Sequence, residues 1–313
     1  MSDVLMVLVK AIPLVLMILV GVVLKNLRFF RESTLADMKK LIVNISLPAT
    51  LFITFANTDF HRQYVALIAI VFVFCAVMLF VGDRVGRSVL PDNPVYPALY
   101  SGFEAGMMGY ALFASFFARE ELFKFAVIDI GQVVFVFLVM TFYLQKKTGS
   151  KTAVKKLMKS FAISPVILAI FFGVFMSASG GYRWVTKFSA FEGVKSTLEI
   201  LGAMTQPLIC IVIGYELRMR AENFKVTLLT ILARMSVMIA SAYLISHFVI
   251  QQLLGLDRMF SVALFTLFIL PPPFVIPIYV SKAGERQKSL ISDILSVHVI
   301  FSLLAFIILL MIY

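Results

Sequence analysis

The sequence predicts an all-α integral membrane protein of ten transmembrane helices, arranged as two inverted five-helix repeats. Three observations predict it: a composition unsuited to water, ten apolar runs of spanning length, and a basic connection that divides those runs into two sets of five. Of 313 residues, 61% are hydrophobic and 14% charged, and the mean hydropathy is +0.99. Soluble domains are about 45–50% apolar and about 25% charged. A soluble chain this apolar would expose wide adhesive patches, whereas a bilayer calls for such a surface.

The runs lie at Val4–Leu24, Lys40–Thr58, Tyr64–Gly82, Val95–Ala118 and Leu122–Gln145, then at Ser160–Ser179, Val194–Leu217, Val226–Leu254, Met259–Ser281 and Ser289–Tyr313. Each is near the ~20 residues that cross about 30 Å of hydrocarbon. They are continuous rather than alternating, which predicts helices and not barrel strands. The first run reads as a retained span, because no small-residue cleavage site follows it. Odd-numbered connections, with the span ends that flank them, hold 19 of the Lys and Arg residues, and even-numbered ones counted the same way hold 7. That bias puts odd loops in the cytoplasm and both termini on the non-cytoplasmic side of the cell membrane. It also accounts for the net charge of +11 without a nucleic-acid partner.

The longest basic connection, residues 146–159, separates a first five-helix repeat (1–145) from a second (160–313). An odd number of spans per half inserts the halves in opposite orientations. The second span of each half carries a hydroxyl two places before proline, in Ser46-Leu47-Pro48 and Thr205-Gln206-Pro207. The fifth spans open on Val127-Ile128-Asp129-Ile130 and Ile291-Ser292-Asp293-Ile294. The fourth spans have their helix-weakening residues near the middle.

Those fourth spans, four and nine overall, are the interrupted ones. Span four has Gly102, Gly106 and Gly109 around Glu104, and each glycine weakens a helix by about 1 kcal/mol relative to alanine. Span nine carries Pro271-Pro272-Pro273, which cannot continue an α-helix. Non-helical backbone at mid-membrane is tolerated only in protein or beside a watery cavity. Two such breaks are expected to leave free N–H and carbonyl groups facing a central space, with half-helix N-termini suited to a carboxylate. Glycine for packing and proline for a simple kink remain the alternatives there, and a simple kink also at Pro48 and Pro207.

Among ionisable groups, Glu104 is the sharpest candidate: a mid-membrane carboxyl can take up a proton on one side and release it on the other. Asp129 and Asp293 lie in the first turns of their helices, where a dipole role competes with coupling. Arg234 is expected to snorkel to the cytoplasmic face, or else to attract an anion, and Lys10 to snorkel outward. His298 reads as a packed polar residue, and Asn44, Gln132 and Gln206 as hydrogen-bonding liners. Cys75 and Cys210 sit in apolar runs and imply neither disulfide nor metal site. No Gly-x-x-x-x-Gly-Lys-Ser/Thr, His-Glu-x-x-His or Gly-x-Ser-x-Gly occurs, so the chain reads as neither an ATPase of that type nor a hydrolase, and no cofactor or metal is expected.

Asn44-Ile45-Ser46-Leu47-Pro48-Ala49 is similar to a recurrent element of the auxin efflux carrier family. Leu201-Gly202-Ala203-Met204-Thr205-Gln206-Pro207-Leu208, with Gly214 and Leu217 after it, resembles that family's matching element in span seven. The resemblance implies inverted repeats with crossed broken helices four and nine, as in sodium/proton antiporters and bile-acid symporters. It also implies a permease: bacterial members are regarded as carriers of organic anions such as malonate or malate, and plant members export auxin. Glu104 stands where the family's asparagine is expected, and Ala111 where its proline is expected.

The resulting expectation is a secondary transporter of a small mono- or dicarboxylate, working by alternating access and coupled to protons. Glu104, Gly106, Met107, Met108, Gly109, Pro271, Pro272, Pro273, Asn44 and Gln206 would form the binding site, and Glu104, Asp129 and Asp293 would couple. A sodium-coupled symporter of the bile-acid type and a non-transporting receptor are the alternatives. The partners expected are the bilayer, the anion, a proton or sodium ion and, optionally, a second copy of the chain.

Overall fold

Apolar side chains without alternation, few breakers inside each run and polar connections between them give helices separated by short loops. The computed structural model describes residues 3–91, 93–149, 159, 162–217, 223–280 and 285–313, and those residues contain helices and no strand. Six helices are long and apolar enough to cross a membrane: Ser33–Ala56, Arg62–Gly86, Arg119–Thr148, Ser189–Glu216, Phe224–Leu253 and Gln287–Ile312. The other four expected runs give the helix Asp3–Asn26 and the shorter apolar helices Ala105–Phe116, Pro165–Ala178 and Arg258–Phe268. Two of these are short for a physical reason, since Ala105–Phe116 begins where one interruption ends and Arg258–Phe268 stops where the other begins. The fold is therefore all-α and multi-spanning. Along the first helix Ile12, Leu16, Leu19 and Val23, one helical stripe, are each about half exposed, and a bilayer gives such a stripe its solvent.

The chain forms two compact units, each drawn from both halves of the sequence. The first comprises Met1–Tyr64, Gly106–Ala126 and Lys159–Glu216. Its densest seam joins the helices Asp3–Asn26 and Thr205–Glu216, where Gly21 and Gly214 meet. A Cβ on Gly214 would come within 2.0 Å of the Ile18 carbonyl oxygen, and one on Gly21 within 2.2 Å of that of Ile211. The backbones touch there, as small residues permit in membrane helices.

Two prolines shape the rest of this unit. Pro48 has no N–H for the carbonyl four residues back, and the chain answers with a π-helical turn over Ile42–Ser46, in which the Leu47 N–H donates to the Ile42 carbonyl. Pro207 has a similar effect: the helix Ser189–Ala203 stops, Met204 turns, and Thr205–Glu216 resumes. The two motifs meet, because the Ser46 hydroxyl donates to the Leu201 carbonyl at 2.7 Å and Thr50 packs onto Gly202.

The second unit comprises Val65–Ala105, Val127–Met158 and Leu217–Tyr313. Its centre is aromatic, with Phe268 stacked on Phe103 (centroids 4.9 Å) and on Phe74 (4.7 Å). Near the end of the helix Arg62–Val89, Asp83 accepts from Tyr143 at 2.6 Å and pairs with Lys147 at 3.1 Å. Residues 150–158 of the expected basic linker lie outside the described residues.

Candidate functional site

Both expected interruptions are present in the second unit. A 3₁₀ turn over Tyr96–Tyr100 gives way to four non-helical residues, Ser101 to Glu104. Gly102 takes φ +65°, a left-handed conformation that a side chain would strain, and a Cβ there would lie 2.9 Å from Cγ of Pro273. Glycine is required twice over. On the other strand of the break, the helix Arg258–Phe268 ends at Ile269, and regular turns resume only at Ile276–Tyr279.

The two interruptions are tied to each other. The Glu104 N–H donates to the Pro271 carbonyl at 2.9 Å, and the Glu104 carboxylate accepts the Phe274 N–H at 2.6 Å. Pro271, Pro272 and Pro273 are buried, and Glu104 is half-buried.

Free backbone groups facing a cavity were expected here, and the structure corrects that expectation. Arg234, expected to snorkel, is 1% exposed and donates to the carbonyls of Leu99 (2.7 Å), Gly102 (2.7 Å) and Leu270 (3.4 Å). A guanidinium offers five N–H donors in a planar fork, which suits carbonyls stripped of helical partners. Its carbon also lies 5.2 Å from the centroid of Phe103. Pro273 cannot donate to the carbonyl of Ile269, and the Ser302 hydroxyl donates instead, with His298 Nδ1 3.1 Å behind that hydroxyl. His298 is fully buried, as expected of a packed polar residue. The Phe103 N–H donates to Gln132 Oε1 at 3.2 Å, and Gln132 Nε2 donates to Asp129 at 2.6 Å.

Asp129 is thus one amide away from the break that holds Glu104. Asp293 is elsewhere: it is 2% exposed and accepts from Asn223 at 3.2 Å. Gly106, Met107, Met108 and Gly109 form a π-helical turn, Ala105–Gly109, and belong to the first unit, as do Asn44 and Gln206. Asn44 is exposed. Cys75 and Cys210 are buried free thiols. Among the described residues, no group of three or more His, Cys, Asp or Glu is placed to hold a metal ion.

The first unit contains a cavity of about 160 Å³, with Leu47, Thr50, Tyr110, Arg119, Thr205 and Gln206 on its walls. The two proline motifs form one side of it, a convergence that their spacing alone does not show. Arg119, one of the basic residues of the even-numbered connections, is the cation of this wall.

A sequence profile for membrane transport proteins matches residues 6–310, almost the whole chain. The chain belongs to the membrane transport protein family. That family includes permeases like the auxin efflux carriers and bile-acid symporters, so the resemblance carried by the Asn44–Ala49 and Leu201–Leu208 elements is borne out. Membership makes this chain a transport protein and not an enzyme. No curated protein sequence matches this member of the family.

Proposed function

We propose that this chain is a secondary active transporter that carries a small organic anion, a mono- or dicarboxylate, by alternating access and in step with protons. The observation that carries the reading is the double tie at Glu104, whose N–H donates to the Pro271 carbonyl and whose carboxylate accepts the Phe274 N–H, both on the other interrupted helix. An ionised carboxylate makes a charge-assisted hydrogen bond, roughly twice as strong as a neutral one. Protonation of Glu104 weakens that bond, while Arg234, Ser302 and Gln132 keep their hold on the neighbouring backbone. One proton thereby selects between a tight and a loose connection of two interrupted helices. Asp129 takes part through Gln132, and the buried guanidinium of Arg234 sets a positive field that favours an anionic solute.

Ten spans in two inverted repeats, crossed at the breaks and with both termini on the non-cytoplasmic side, complete this reading. The paired proline motifs and the paired interruptions support it. The protein would then lie in the cell membrane with its basic loops in the cytoplasm.

The test is flux in proteoliposomes. Carboxylate uptake should follow an imposed pH gradient, ignore a sodium gradient, and lose its pH dependence in Glu104→Gln. Flux that follows sodium would move the reading to a symporter of the bile-acid type. Full proton coupling in Glu104→Gln would remove Glu104 from the mechanism.

A further inference from the structure

The cavity of the first unit has a chemistry of its own. Thr205 is 6% exposed, and its hydroxyl oxygen is buried without a hydrogen-bond partner among the described residues. Such a group costs roughly 1–3 kcal/mol when left unsatisfied, so a ligand or a water is the usual resident beside it. The Gln206 amide on the same wall makes no hydrogen bond among the described residues. Thr50 already donates to the Ser46 carbonyl at 3.3 Å and presents a lone pair.

Charge selects the ligand. Arg119 holds Glu199 loosely, at 3.5 Å through the carboxylate and 3.3 Å through the carbonyl, with both side chains over a third exposed. Lys195 stands 4.0 Å from the same Glu199 oxygen. One carboxylate thus serves two cations, the cluster is net positive, and Lys195 can keep Glu199 while Arg119 turns to another anion.

Size narrows the class further. A cavity of about 150 Å³ admits a molecule as large as benzene. The 160 Å³ here therefore suits a carboxylate of two to four carbons better than an indole acid or a sterol acid. Leu47 and Leu122 supply an apolar wall for a short alkyl chain.

We propose that this cavity is a binding site for a short-chain monocarboxylate, held by Arg119 and by the Thr205 hydroxyl, with Gln206 as a further donor. The inference rests on the transport reading, because it names the class of anion carried, and it places the anion away from Glu104.

The test is equilibrium binding of radiolabelled propionate to the full chain in nanodiscs, alongside flux in proteoliposomes. Propionate should bind saturably, acetate and butyrate should compete, and indole-3-acetate should not. Arg119→Gln and Thr205→Val should each raise Kd by about tenfold or more, as expected for a lost hydrogen bond to a charged group. Arg119→Lys, which keeps the cation, should recover part of that loss, and an unchanged melting temperature shows that each variant is folded. Wild-type affinity in both Arg119→Gln and Thr205→Val, or equal competition by indole-3-acetate, overturns the proposal. The two readings fail separately. Propionate bound through Arg119 without any flux removes transport and leaves the site, whereas proton-driven carboxylate flux indifferent to Arg119 and Thr205 removes the site and leaves transport.

Discussion

The interrupted backbone of the second unit and the cavity of the first treat polar groups in opposite ways. Around the breaks, the carbonyls of Leu99, Gly102, Ile269 and Leu270 and the N–H groups of Phe103 and Phe274 all have fixed partners. In the cavity, the Thr205 hydroxyl and the Gln206 amide have none among the described residues. The backbone inventory at the breaks is closed, although Arg234 Nε and His298 Nε2 beside it are buried without a hydrogen-bond partner among the described residues, whereas the polar groups of the cavity are open to a ligand. Broken membrane helices are thus not by themselves a place where a solute is gripped: here one side chain, Arg234, takes up three of these four carbonyls.

This contrast can be attacked most strongly at Arg234. Arg234→Met leaves three buried carbonyls without their donor, and unfolding of the purified protein should be easier by roughly 3–5 kcal/mol, seen as a large fall in melting temperature or a loss of folded material. Gly102→Ala should cost about 1–3 kcal/mol in the same measurement, from a left-handed φ and a Cβ driven toward Pro273. Glu104→Gln keeps an oxygen for the Phe274 N–H, so its stability should change by only about 1 kcal/mol. Its effect should instead appear in flux, which in the parent weakens or strengthens with pH and in the variant does not. At the small end, Thr205→Val removes an orphaned hydroxyl for a methyl of similar volume. Its stability should be unchanged or higher by about 1 kcal/mol, and a clear loss would mean that the hydroxyl has a structural partner after all.

The composition and the ten apolar runs made the helical membrane fold legible, because spanning a bilayer leaves its mark on every residue of a run. The interruptions were legible for the same kind of reason: three prolines in a row and a glycine before Glu104 act locally. What fills the breaks was not legible. Arg234 lies 130 residues or more from Leu99 and Gly102 in sequence, and by position alone it resembled a residue that reaches for the headgroups. Ser302 is an ordinary helix serine until Ile269 is brought beside it. The cavity shows the same limit, since Ser46–Pro48 and Thr205–Pro207 were visible as a matched pair but nothing in their spacing said that they meet. Arg119 was hidden by its place in a connection. An arginine three residues before the apolar run that opens at Leu122 reads as a loop charge.

Arg234 has one more consequence. Its described hydrogen bonds end on neutral carbonyls, so the second unit carries a guanidinium buried in protein that no carboxylate among those partners neutralises. A working cycle that shifts this residue along the membrane normal moves charge even when the pocket is empty. Crossing a full 100 mV is worth about 2.3 kcal/mol per elementary charge. Under the alternating-access cycle proposed above, membrane voltage, and not only the concentration of solute, would then help decide which way the empty protein faces.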